Sequence, residues 1–139
     1  MRLLITLLAI AFVLASCGKP KKEMIEGKWK ITDVTSPEPN VPDSLKEYYK
    51  EQLQLRNNEL LANGYYEFKK DGKSSFLLND QEFPGNWRYV EEKNTLNVKG
   101  EKEIEEVVFS IEELTESLFI IEASQNDQSI RMVLKKEVR

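Results

Sequence analysis

The sequence predicts a mainly β domain, an antiparallel up-and-down barrel of about eight strands with a helical insertion at about 43–63 between the first and second strands. Three observations carry this prediction. Short apolar alternations follow one another from Trp29 to Leu134, separated by turn residues. A single stretch, Ser44 to Asn63, has helical spacing and helix-ending signals instead. Consecutive strands with short connections form an antiparallel meander, and strands with one apolar face bury it only by pairing sheets or by closing a barrel.

The first strand begins within Ile25 to Val34, where Trp29 and Ile31 share one face. Pro37, Pro39 and Pro42 then stop it, because proline cannot supply the N–H that a sheet interior needs. Ser44 and Glu47 form a capping-box pattern behind Pro42 and Asp43. Leu45, Tyr49, Leu53 and Leu60 fall within about 80° on a helical wheel, an apolar stripe that would face the sheet. Asn63-Gly64 ends the helix with residues that tolerate the left-handed conformation. Arg56 interrupts the stripe and Asn57-Asn58 suit a helix interior poorly, so a bend or a break into two helices there stays open.

Beyond Gly64 the chain reads as strand and turn. Tyr65 to Lys70 and Lys73 to Leu78 flank Asp71-Gly72, a strong hairpin signal. Asn86 to Val90 places Trp87 and Tyr89 on one face; Glu91 to Asn94 turns the chain, and Thr95 to Val98 returns with Leu96 and Val98 inward. Glu105 to Ile111 places Val107, Phe109 and Ile111 together. Leu118 to Ala123 is more uniformly apolar, with Ile120 expected inward, and Ile130, Met132 and Leu134 close the pattern before a charged end.

The N-terminus carries a different message. Arg2 precedes an apolar run from Leu3 to Leu14, about 18 Å as a helix and too short for a hydrocarbon core of roughly 30 Å. It reads as a signal peptide, and Leu14-Ala15-Ser16-Cys17 resembles the bacterial lipobox, which is cut just before a lipid-bearing cysteine. The expectation is a cleaved segment 1–16, a lipidated Cys17 on a tether 17–24, and a domain over 25–139. Acylation of Cys17, with palmitate-type chains, would consume the sole cysteine and account for the odd count without a reactive thiol. Two or three such chains hold a protein stably at a membrane. The expected location is the cell envelope, at the outer rather than the inner membrane.

Composition narrows the chemistry further. Removing residues 1–16, whose only charge is Arg2, leaves a net charge of −5, which disfavours nucleic acid as a partner. There is no histidine, so serine-type triads and zinc sites of the His/Cys kind are excluded. The adjacent pairs Glu91-Glu92, Glu105-Glu106 and Glu112-Glu113 place neighbours on opposite faces of a strand or in solvated turns. No calcium-loop spacing and no glycine-rich phosphate loop is present. The expectation is a protein that is not an enzyme and that uses no metal or cofactor.

Gly27-Lys28-Trp29 is similar to the glycine-x-tryptophan signature near the start of lipocalins. Tyr66-Glu67-Phe68 with Asp71-Gly72, Gly85-Asn86-Trp87, Asn94-Thr95-Leu96 and Ile111 to Leu118 follow in the order seen in the small lipocalin-like domains of bacterial lipoproteins. The resemblance spans about Ile25 to Lys136. It implies a tryptophan, Trp29, packed across the closed end of a barrel under a later arginine, for which Arg131 is the candidate. The long helix departs from typical lipocalins and resembles the placement of the lid in fatty-acid-binding barrels.

The resemblance also implies a carrier or sensor of a small apolar ligand, with Trp29, Tyr49, Phe68, Phe76, Trp87, Tyr89 and Phe109 as candidate ligand-binding residues. The alternative is a structural or protein-interaction lipoprotein with a packed barrel, no ligand and an unknown envelope partner. Trp29, Phe68, Phe76, Trp87, Tyr89, Phe109 and Ile120 are bulky enough together to fill a small barrel. A cavity beneath the Ser44–Asn63 helix would favour the carrier.

Overall fold

In the computed structural model, which describes residues 18–37, 40–125 and 128–138, the strands close on themselves. The predicted signal segment and Cys17 lie outside the described residues. Eight antiparallel strands run β1 (Gly27–Thr35), β2 (Tyr65–Phe68), β3 (Lys73–Leu78), β4 (Gln81–Val90), β5 (Thr95–Gly100), β6 (Val107–Leu114), β7 (Leu118–Gln125) and β8 (Gln128–Lys136). Each pairs with the next, and β8 returns to β1 with Ile31 opposite Leu134. A short helix α1 (Lys21–Ile25) precedes β1, and the long helix α2 (Asp43–Asn63) lies between β1 and β2 as expected.

One end of the barrel is packed solid. Ile25 of α1 and Trp29 are fully buried, and the Trp29 ring lies 5.3 Å from Phe119. The Trp29 indole N–H donates to the carbonyl of Ile25 at 2.7 Å, fastening α1 over the barrel floor. Phe68 and Trp87 meet edge-on at 5.6 Å, and the Trp87 N–H donates to the Lys69 carbonyl at 2.8 Å. Leu96 and Leu134 complete this closed end with no exposure. Each buried indole thus has its partner, which a dry core requires.

The glycine of the first motif has a specific task. Gly27 has φ +130°, and a β-carbon there would lie 2.9 Å from Cε of Lys136. Only glycine lets the β1 backbone pass beneath that lysine.

Several expectations need correction. The helix begins at Asp43 behind Pro42, and no side chain caps it, so Ser44 lies inside the first turn rather than forming a box with Glu47. Proline fills the cap position because the first helical N–H groups are unbonded in any case. The helix runs unbroken through Asn57-Asn58. In β7 the buried residues are Phe119, Ile121 and Ala123, which places Ile120 on the opposite face. A uniformly apolar strand has no alternation to fix its parity, and the pairing of Phe119 with Leu134 decides it. In β6 a bulge between Ile111 and Glu113 ends the strict alternation, and Val107 is partly exposed at the rim.

Strand β4 also starts earlier than its tryptophan motif indicates. Asn79 and Asp80, both at positive φ (50° and 64°), make the tight β3–β4 turn. Pro84 is tolerated because the β4–β5 pairing starts only at Gly85 opposite Gly100, so its missing N–H interrupts no ladder on that side.

Candidate functional site: the hollow half of the barrel

The end of the barrel away from α1 is hollow. A cavity of about 1320 Å³ lies under α2 and is bordered by Tyr49, Leu53 and Leu60 from the helix and Phe109, Ala123 and Met132 from the barrel wall. A smaller chamber of about 340 Å³ lies against β3 to β6, bordered by Phe76, Leu78, Phe83 and Val98. Tyr66, Gly100, Glu103, Val107 and Phe109 border both.

The sequence creates this asymmetry through side-chain size. Bulky Trp29, Phe68, Trp87 and Phe119 cluster toward the floor, whereas Ser74, Gly85, Gly100 and Ala123 lie higher on the wall and leave space. Gly85 also lets β4 and β5 approach closely: a β-carbon there would stand 2.5 Å from the Lys99 carbonyl oxygen.

The candidate ligand residues divide between the two halves. Tyr49, Phe76 and Phe109 border the cavity. Trp29, Phe68 and Trp87 are buried in the floor. Tyr89 belongs to the floor as well: its hydroxyl donates to Asn94 Oδ1 at 3.0 Å, and the same oxygen accepts from the Lys21 ammonium at 3.1 Å. Cavity residues that the sequence did not mark as ligand candidates include Tyr66, Ser36, Ser74, Arg56, Ala123 and Met132. Tyr66 was within reach, since it shares its strand face with Phe68 and stacks against it at 5.7 Å.

Tyr66 is the most perturbed group of the cavity. Burial pushes its hydroxyl pKa up to about 12, so it remains a neutral donor at any physiological pH. Charged residues also border the larger cavity: Arg56 of α2, Lys102, Glu103, Glu105 and Glu106. The Arg88 guanidinium, bonded at 2.9 Å, holds the Glu106 carboxyl below its usual range, with help from Asn97. The rim is therefore polar and mixed in sign, and the walls beneath it are mostly apolar.

The family model for the lipocalin-like domain matches residues 25–121. The chain belongs to this lipocalin-like family. No curated protein matches the sequence. Among solved structures it is similar to a DUF4847-family protein from Bacteroides vulgatus, with a TM-score of 0.50 and 12% identity. That likeness covers 85% of this chain and 99% of the other, and it bears on the fold alone.

One lipocalin-like expectation is met by a different residue. Arg131 pairs with Glu112 at 2.9 Å on the barrel surface and does not cap the tryptophan. The cation over Trp29 is Lys136, whose ammonium lies 4.9 Å from the ring centre and donates to the Met24 carbonyl at 3.1 Å. In this lipocalin-like domain a lysine thus joins the last strand, the floor tryptophan and the N-terminal helix. The register explains the exchange, since Lys136 lies opposite Trp29 whereas Arg131 lies opposite Thr35 at the far end of β1.

Proposed function

We propose that this protein is a lipid-anchored envelope lipoprotein whose barrel binds a small, largely apolar molecule. The observation that carries the binding role is the cavity of about 1320 Å³ under α2, walled mostly by apolar side chains below a polar rim. Pockets of this kind are where small ligands are taken up. A solid barrel, the premise of the interaction-only alternative, describes the floor but not the half beneath the helix.

The anchor rests on the N-terminal sequence, and the fold suggests how it would hold the domain. Lys19 pairs with Glu116 at 3.7 Å and Lys21 bonds Asn94, both at the closed end. Cys17 is two residues before Lys19, at most about 7 Å of extended chain. A bilayer holding Cys17 would lie against the floor, with the mouth turned away from it. Ligand would then exchange with the surrounding water or with a protein partner, not directly with the anchoring leaflet.

Two measurements test the two halves of this proposal. Wild-type protein is expected to incorporate labelled fatty acid and to fractionate with membranes; equal labelling of Cys17→Ala would refute the anchor. The soluble domain is expected to bind the neutral apolar dye N-phenyl-1-naphthylamine saturably at one site. Absence of saturable binding, together with native mass spectra free of co-purifying small molecules, would refute the binding role.

A further inference from the structure

Polar groups in the floor are paired, whereas several hydroxyls on the cavity wall are not. Trp29, Trp87, Tyr89 and Thr95 each donate a hydrogen bond within the floor or beside it. By contrast, the hydroxyls of Ser36, Ser74 and Tyr66, which border the chambers, have no hydrogen-bond partner among the described residues. Ser36 Oγ is buried and unpaired on the wall of the larger chamber. Ser74 borders the smaller chamber, and Tyr66 stands where the two meet. The other buried unpaired side-chain atom among the described residues, Asn57 Oδ1, belongs to α2 and borders neither chamber. A buried hydroxyl without a partner, as at Ser36, is costly, and the unpaired hydroxyls of Ser74 and Tyr66 are open to completion by water or by a ligand.

The surroundings of Tyr66 select the kind of ligand atom. Its ring packs on Phe68 and Phe76, and the smaller chamber beside it is bordered by Leu78, Phe83 and Val98 with no cation. The cations that border the cavity, Arg56 and Lys102, belong to the larger chamber. A carboxylate at the junction would lose its hydration without meeting an opposite charge.

We propose that the ligand is a neutral amphiphile, an apolar body carrying an uncharged hydroxyl or carbonyl oxygen, and that this oxygen accepts a hydrogen bond from Tyr66. The apolar parts on either side of that oxygen occupy the two chambers. The burial that keeps the phenol protonated also penalises an anion in the same place. This inference rests on the cavity-binding reading above.

Displacement of N-phenyl-1-naphthylamine by twelve-carbon probes tests it: dodecane, 1-dodecanol, 2-dodecanone and dodecanoate at pH 7. Transfer out of water alone ranks the alkane first, because a hydroxyl or ketone resists desolvation. The expected order is reversed, with the alcohol and the ketone at least fivefold tighter than dodecane and dodecanoate weaker than both. Tyr66→Phe is expected to abolish the gap while leaving dodecane affinity and the near-ultraviolet dichroism of the tryptophans unchanged. Equal affinity of alcohol and alkane in the wild type, a tightest-binding carboxylate, or a gap that survives in Tyr66→Phe would each overturn the inference. If the variant does not fold, the wild-type series decides alone. Failure of the wild type to bind the dye or any probe would overturn the cavity-binding reading and this inference with it.

Discussion

Lys136 occupies a position that a water-exposed lysine never meets. Burial is the main cause that lowers its pKa, with the Lys19 charge adding to it and Glu116 and Glu26 opposing. The unfolded chain therefore binds the proton more tightly than the folded one. Between the lowered folded value and the ordinary 10.5, stability rises with pH because the folded lysine sheds its charge first. Urea denaturation across that window is expected to show the rise in the wild type and not in Lys136→Met. Tyr66 has the opposite sign. Its folded pKa of about 12 lies above the unfolded value of 10.0, so stability falls as pH climbs from 10 to 12. The fall is on the order of 2 kcal/mol by the usual conversion of pKa difference to free energy. Tyr66→Phe is expected to lack it, and an identical alkaline fall in both proteins would contradict the burial of this phenol. At Gly27 the backbone angle and the overlying Lys136 stem act together. Gly27→Ala is expected to cost about 1–3 kcal/mol in chemical denaturation, and a cost near zero would show that the floor has slack.

Helix α2 and the strands beneath it have very different attachments. None of the 21 residues of α2 is buried, and Leu60 and Leu61 near its end are the helix residues packed against the core. Leu45 and Tyr49 on its stripe are 44% and 41% exposed, so the stripe looks into an open mouth rather than onto a sheet. Few buried contacts mean a low local opening free energy. Amides of Tyr49 to Leu53 are expected to exchange hydrogen orders of magnitude faster than those of Ile31 and Leu134, and bound ligand is expected to slow them. Equal protection in helix and floor would contradict this loose attachment of α2. The helix was legible in the sequence because the spacing of Leu45, Tyr49, Leu53 and Leu60 admits no other element. Its start was misread because Ser44 and Glu47 satisfy the capping pattern, although proline occupies the position before the first turn. The β3–β4 turn escaped notice because Asn79-Asp80 takes up the left-handed conformation without the glycine that usually marks it.

At the scale of the whole molecule, strand alternation reveals which residues face inward but not how far along the barrel each one lies. Seven bulky inward side chains looked sufficient to fill the interior. Pairing places Trp29, Phe68, Trp87 and Tyr89 toward one end, and β7 turns Ile120 outward. What remains above them is a wall thinned by Ser74, Gly85, Gly100 and Ala123. The distribution along the axis depends on the staggered register of all eight strands, which no single segment encodes. The same register puts Lys136, not Arg131, over Trp29, and it brings Tyr66 to the junction of the chambers. In the proposed function, the packed floor serves stability and the hollow upper half serves binding. Uptake of a small apolar molecule by the hollow half is the proposal on which the rest depends, and methyl NMR during titration with 1-dodecanol is its test. Saturable shifts of the Ala123, Ile130 and Met132 methyl signals are expected, with those of Ile25 and Leu134 in the floor unmoved. Shifts confined to exposed residues such as Ile104 and Val138, or no saturable shift at all, would contradict it.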